Sequence, residues 1–161
     1  MKKIRTIENL DRIDRKILRE LQANGRISYV DLGSTVGLST SPCIERVKRL
    51  EREGFIQTYT AKVDPHRLNA AILIFVQIKL KAVSPDVFED FRRAVTNIPH
   101  IQECHFVSGS FDYLMKVRIE SMSHYRELLG EILRQLPGVK DTESFVVVEE
   151  VKESINIPIQ D

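Results

Sequence analysis

The stretch Ser28–Gly54, SYVDLGSTVGLSTSPCIERVKRLEREG, reads as two short helices joined by a tight glycine turn, the second of them basic on its outer side. Ser28 opens the first helix: its hydroxyl is placed to accept the Asp31 amide, and the Asp31 carboxylate to reach back to the Ser28 amide, an acidic variant of the capping box. Val30, Leu32 and Val36 supply the buried side, and Gly33 leaves room for the next helix to cross closely. Gly37 tolerates the left-handed backbone that ends a helix abruptly. Ser39 or Ser41 caps the second helix, and Pro42 suits its first turn, where a missing amide hydrogen costs nothing.

At about 100° per residue, Cys43, Ile44, Val47 and Leu50 share one side of that helix, while Ser41, Glu45, Lys48, Arg49 and Arg52 share the other. A lone charged face is as often merely solvated. Preceded by a capped helix and a glycine turn, it becomes the second element of a helix-turn-helix, which sets its start against base edges in the major groove of double-stranded DNA. The candidate contacts are Ser39, Thr40, Ser41, Glu45, Arg46, Lys48, Arg49 and Arg52. Arginine pairs with guanine most often, and Glu45 can accept from a cytosine amino group.

Working outward, Asp11 caps an upstream helix carrying Leu10, Ile13, Ile17, Leu18 and Leu21 at helical spacing and stopping near Asn24-Gly25, which completes a three-helix core. Downstream, residues 55–64, FIQTYTAKVD, alternate and read as a short strand, a wing, that Pro65 breaks. The expected domains are residues 1–63, a winged helix-turn-helix; 64–70, a hinge; and 71–161.

Charge follows the same division. Residues 1–64 hold 13 Lys/Arg against 9 Asp/Glu, and residues 65–161 hold 11 against 14, so a formal net charge of +1 hides a basic head on an acidic body. Two cysteines, Cys43 and Cys104, are too few for a disulfide framework and are expected to be reduced thiols. The start, MKKIRTIENLDRIDRK, lacks the apolar stretch of a signal peptide or anchor, and the longest apolar run, Ala70–Val76, is too short to span a bilayer. The expected location is cytoplasmic, with no membrane partner.

The second half has a different rhythm: a strand over Ala71–Lys81, a helix from Ser84-Pro85 with Val87, Phe88, Phe91, Val95 and Ile98 inward, and a hairpin of Ile101–Ser108 and Tyr113–Ile119 around a turn at Gly109–Asp112. Ser123 then caps a helix with Tyr125, Leu128, Leu129, Ile132, Leu133 and Leu136 inward, and Phe145–Val151 is the last strand. The order is βαββαβ. An internal echo, IPHIQE at 98–103 and LPGVKD at 136–141, marks two helix stops that each feed a strand. The fold class is α+β: a helix-turn-helix joined to a ferredoxin-like sheet with both helices on one face. Ile72, Ile74, Val76, Val117 and Val147 are expected to cover both faces of that sheet, so that its bare face is buried in a dimer.

These segments together resemble the leucine-responsive and asparagine-responsive regulator (Lrp/AsnC) family over nearly the whole chain. The resemblance is carried by Leu10-Asp11-Arg12-Ile13-Asp14, Gly25-Arg26-Ile27-Ser28, Val36-Gly37-Leu38-Ser39 with Pro42-Cys43 and Arg46, Arg49-Leu50-Glu51 and Gly54-Phe55-Ile56. In the second half it rests on Glu103-Cys104-His105, Val107-Ser108-Gly109, Phe111-Asp112-Tyr113-Leu114, Leu136-Pro137-Gly138-Val139 and Glu149-Glu150-Val151-Lys152.

The resemblance implies a transcription regulator of amino-acid metabolism. Its C-terminal domain would dimerise, assemble into rings, an octamer being the expected size, and bind a free amino acid between subunits. It places the effector around Ser108, Gly109, Ser110, Asp112 and Tyr113, with Phe106, Met122, Phe145 and Val147 shaping the side-chain pocket. A zwitterion needs a carboxylate for its ammonium group, which Asp112 offers, and amide hydrogens for its own carboxylate, which the turn at Gly109 and Ser110 offers. Ser110 and Phe145 stand where leucine-responsive relatives tend to have aspartate and tyrosine, which leaves leucine, alanine and methionine as candidate effectors.

His100, Cys104 and His105 do not make a metal site, because neighbours on a strand face opposite ways; Glu149-Glu150 reads as a solvated strand end for the same reason. No nucleophile grouping or phosphate-binding glycine loop supports catalysis, and neither cofactor nor metal is expected. An architectural DNA-wrapping protein and an amino-acid-binding subunit of an enzyme are the competing readings.

Overall fold

The computed structural model describes residues 6–82 and 84–160; residues 1–5 of the charged start lie outside the described residues. The chain divides into two compact units, Met1–Lys62 with Glu153–Asp161, and Val63–Lys152. The last residues thus belong with the helical head, not with the sheet to which the sequence assigned them.

In the first unit, α1 (Arg12–Ala23) starts from an Asp11 cap whose carboxylate accepts the Asp14 amide at 2.8 Å while the Asp14 carboxylate accepts the Asp11 amide at 3.2 Å. The next helix, α2 (Tyr29–Val36), is capped by Ser28, and α3 spans Thr40–Arg52. Asp31 does not reach the Ser28 amide; it accepts the Ser28 hydroxyl at 2.5 Å while the same hydroxyl oxygen takes the Asp31 amide. Leu32, Val36, Cys43, Val47 and Leu50 close on Leu10, Ile17 and Leu18 as one core. Val30 is a correction: it is 64% exposed, because the stripe set by Leu32 and Val36 takes in Gly33 and puts position 30 opposite.

Gly37 adopts φ 80°, the left-handed stop expected of it. A Cβ on Gly33 would sit 2.9 Å from the Leu38 carbonyl oxygen and 3.6 Å from the Cys43 Cβ, so the α2–α3 crossing depends on its missing side chain. The expected wing does not form a strand. Residues 57–64 run without ladder partners, and Tyr59 folds back to donate its hydroxyl to Glu51 of α3 at 2.9 Å.

The second unit follows the expected order: β1 (Ile72–Leu80), α4 (Pro85–Thr96), β2 (Ile101–Phe106), β3 (Tyr113–Ile119), α5 (Met122–Gln135) and β4 (Val139–Val146), with sheet order β2-β3-β1-β4, antiparallel throughout. Ser121, not Ser123, caps α5 by accepting the His124 amide. The strand β4 begins directly after Gly138 and ends before Val147, well ahead of its expected span. Both halves of the echo deliver a buried stop, Ile98 and Leu136, immediately before β2 and β4.

Strand register decides which side chains the helices cover. Ile74, Val76, Ile78 and Leu80 alternate inward with Tyr113, Met115, Val117 and Ile119 against Phe91, Leu128 and Ile132. Each fully buried apolar side chain there contributes roughly 1.5–3 kcal/mol. Ile72, Ile74, Val76 and Val117 therefore share the covered face instead of spanning both. The opposite face carries Phe75, Leu114 and Phe145 among ion pairs: Lys116 to Glu103 at 2.9 Å and Arg118 to Glu150 at 3.0 and 2.6 Å. Glu150 is thus a paired carboxylate, not only a solvated strand end.

Candidate nucleic-acid interface and ligand turn

The cap residue of α3, Ser39, makes no side-chain cap bond. Ser39, Ser41, Glu45, Lys48 and Arg52 are exposed, and Thr40 is half-buried. Arg46 and Arg49 behave differently. Arg46 reaches Asp11 at 2.6 Å and Asp14 at 2.8 Å, and Arg49 reaches the other oxygen of Asp14 at 2.5 Å. Asp14 is 1% exposed, whereas the two arginine side chains keep 29% and 34% of their surface. Arg49 therefore leaves the outward face to which helical spacing assigned it, drawn in by a buried carboxylate that needs cations.

Electrostatics agree with this clamp. Burial pushes the Asp11 carboxyl up, but the Asp14 amide and Arg46 outweigh it and hold the group below its ordinary range. The hydrogen bond to Asp11, with Asp14 behind it, raises the Arg46 guanidinium against the opposing effect of burial. Both arginine side chains keep part of their surface exposed. Burial raises the Cys43 thiol, consistent with a packing role.

In the second unit, Asp112 closes the hairpin turn. Its carboxylate Oδ2 accepts the Leu80 amide at 2.7 Å, its own amide donates to the Ile78 carbonyl at 2.9 Å, and its carbonyl accepts the Val107 amide at 3.0 Å. Ser108, Gly109 and Ser110 are exposed beside it. Tyr113 is buried on the helix side and stacks on Phe91 at 4.3 Å; burial lifts its phenol, with Arg92 opposing. Phe106, 61% exposed, sits edge-on to Phe88 at 5.1 Å and close to Tyr113 at 5.3 Å.

The nine expected effector residues fall into two groups. Phe106, Ser108, Gly109, Ser110, Asp112 and Tyr113 gather at the end of β1 near Ile78, whereas Phe145 and Val147 lie beside its start and Met122 opens α5 after β3. The register positions Ile74 and Ile78 are four residues, or about 13 Å, apart along the strand. One chain does not close a pocket around all nine.

Cys104 pairs with Met115 and turns toward the helices, while His105 pairs with Leu114 on the other face. Burial pushes the Cys104 thiol up to about 11. Sequence reading passed over Asp14, Tyr59 and the tail; of these only Asp14 had a signal, a carboxylate on the same stripe as Leu10, Ile17 and Leu21.

Residues 10–51 match the AsnC-type helix-turn-helix domain, and residues 73–157 match the Lrp/AsnC ligand binding domain. The chain belongs to the Lrp/AsnC family of transcription regulators. It is 60% identical over 153 residues to the leucine-responsive regulatory proteins of Escherichia coli and Salmonella typhimurium, covering 95% of this chain and 93% of each relative. Among solved family structures, a transcriptional regulator of Neisseria meningitidis in its L-Met complex superposes with a TM-score of 0.88 at 33% identity, covering 93% of this chain and 97% of that one. An AsnC family regulator of Agrobacterium tumefaciens gives 0.89 at 32% identity, covering 92% and 97%. A helix-turn-helix is thus joined to a ligand-binding domain, and both belong to transcription regulators rather than to enzymes. Among the described residues no helix is long and apolar enough to cross a membrane.

Proposed function

We propose that this chain is a cytoplasmic, sequence-specific regulator of amino-acid metabolism genes that reads DNA through α3 and responds to a free amino acid held at the Asp112 turn. The observation that carries the DNA assignment is the solvent-facing row Ser39, Ser41, Glu45, Lys48 and Arg52, directly after a left-handed glycine turn. Arg46 and Arg49 add charge from the flank of that row, where Asp14 fixes their direction and leaves part of each side chain exposed. Lys48 and Arg52 suit phosphate or guanine contacts, Ser39, Thr40 and Ser41 suit phosphate contacts at a helix start, and Glu45 suits cytosine.

For the ligand, the turn supplies exposed amides at Ser108, Gly109 and Ser110 beside a carboxylate already pinned by Leu80, which is an oriented acceptor for an ammonium group. The division of the pocket residues along β1 favours completion by a second copy: Met122, Phe145 and Val147 of one subunit would approach the turn of another. Leucine, methionine and alanine are the effectors this setting favours. The homodimer would form over the face bearing Phe75, Leu114 and Phe145, and rings of dimers, an octamer among them, would follow.

The test is binding of a duplex selected from a random pool, at fixed salt, with and without each amino acid, alongside calorimetric titration. The reading expects at least one of leucine, methionine or alanine to bind and to shift DNA affinity. DNA binding that no amino acid alters would overturn the effector half, and absence of DNA binding would overturn the whole.

A further inference from the structure

The head of this molecule is not finished when α3 ends. Ile159, from the far end of the chain, packs against the core of Leu10, Ile17, Leu32 and Leu50. The segment that brings it there is fastened to α1 by side chains spaced along one edge of that helix. Gln22 grips the Ile157 backbone twice, its Oε1 accepting the amide at 2.7 Å and its Nε2 donating to the carbonyl at 3.0 Å. Arg19 donates to the Ile159 carbonyl at 3.2 Å, and Arg15 to the Gln160 carbonyl at 3.3 Å. Glu153 adds an ion pair with Lys62 at 2.7 Å.

Such an arrangement treats the tail as an added strand of backbone without asking for a particular sequence. Ile155 and Ile157 stay 83% and 73% exposed, so only Ile159 is committed to the core. The hold is therefore moderate: a few backbone hydrogen bonds, each contributing little net, and one apolar plug. The other end of the same segment belongs to the second unit, where Val147 donates to the Leu73 carbonyl at 2.9 Å and Glu150 grips Arg118. Residues 151–156 are all the chain between the two anchorages.

The helix being gripped is also the one that aims α3. Arg15, Arg19 and Gln22 hold the tail, and Asp14, one residue before Arg15, holds Arg46 and Arg49. We infer that residues 153–160 are a strap: a second chain connection, fastened to α1 by Gln22, Arg15, Arg19 and Ile159, through which the state of the ligand-binding unit reaches the recognition helix. The coupling part rests on the function proposed above, whereas the fastening part does not.

Two full-length variants test it, chosen so that one alters the seat and the other the plug. Gln22→Ala leaves the tail sequence intact, and Ile159→Ala leaves α1 intact. Amide hydrogen exchange over α1 is expected to quicken about tenfold in each, since a helix that loses an outer contact opens locally more often. DNA affinity without amino acid should stay within about threefold of the unaltered chain, as a packing change away from the contact face permits. The shift in that affinity produced by L-leucine or L-methionine should fall toward none, an outcome that simple loss of stability would not give.

Unchanged exchange in both variants would overturn the strap. Quickened exchange with an amino-acid shift of full size would overturn its coupling role. If the unaltered chain itself shows no amino-acid shift, the proposed function fails, while the exchange measurement still decides whether the strap exists.

Discussion

The two units use an aspartate in opposite ways. In the head, Asp14 is almost fully buried and holds side chains, drawing Arg46 and Arg49 across from α3. In the sheet unit, Asp112 is half-buried and holds backbone, fixing the hairpin turn to the end of β1 through the Leu80 amide. A carboxylate that orders charged side chains sets where a helix points its cations, whereas one that orders backbone sets the shape of a turn. Under the function proposed above, direction matters for a surface that would match a duplex, and shape for a turn that would receive a zwitterion.

The largest test of this contrast is Asp14→Ala. Removing the shared anion breaks the Arg49 ion pair and leaves Arg46 with Asp11 alone, which costs about 3 kcal/mol, a figure at the lower end for a broken buried pair because Arg46 keeps a carboxylate and both arginine side chains stay partly exposed. Urea denaturation followed by circular dichroism should show that loss; a change under about 0.5 kcal/mol would mean water satisfies the arginines equally well. Next comes Asp112→Ala, expected to cost about 1–2 kcal/mol through the orphaned Leu80 amide. Asp112→Asn keeps an acceptor for that amide, so it should recover most of the stability while losing the amino-acid response. If the asparagine variant still responds, the ammonium is held elsewhere.

A smaller effect is expected in acid. Both Asp11 and Glu103 have lowered carboxyl pKa values: Asp11 because the Asp14 amide and Arg46 outweigh its burial, Glu103 chiefly through Lys116 and then His105. A group with a lowered folded value stabilises the fold above its unfolded value and loses that contribution as pH falls through the folded one. Denaturation midpoints should therefore hold at neutral pH and begin to fall near the ordinary values of 4.5 and 3.8. Substituting Glu103 with Gln should flatten the upper part of that decline, and an unchanged acid profile would remove Glu103 from the account.

Much of the head was legible because its signals are local. A cap at Asp11, a cap at Ser28 and a stop at Gly37 are each readable within four residues, and they place three helices. The sheet unit's order was legible from its two echoing stops. Its facing was not, because β1 is apolar at both parities, Ile72 to Val76, so period alone does not tell which side meets the helices. The wing fails for a related reason: residues 57–64 alternate, but alternation supplies no partner strand.

The Arg49 inversion came from treating a helix face as geometry alone, when Asp14, 35 residues earlier, pulls the guanidinium inward. The tail's return to α1 left no periodic trace, since Gln22 binds backbone and so imposes little on the sequence it holds.

The central claim is that the outer row of α3 meets DNA, and Lys48 tests it most directly, because it is exposed while its neighbours Arg46 and Arg49 are partly spent on Asp14. Duplex affinity should be measured across a salt series for the unaltered chain and for Lys48→Glu. The account predicts about tenfold weaker binding and a salt slope smaller by about 2, roughly 0.9 for each of the two phosphate contacts that a dimer would lose. Equal affinities and equal slopes would contradict it.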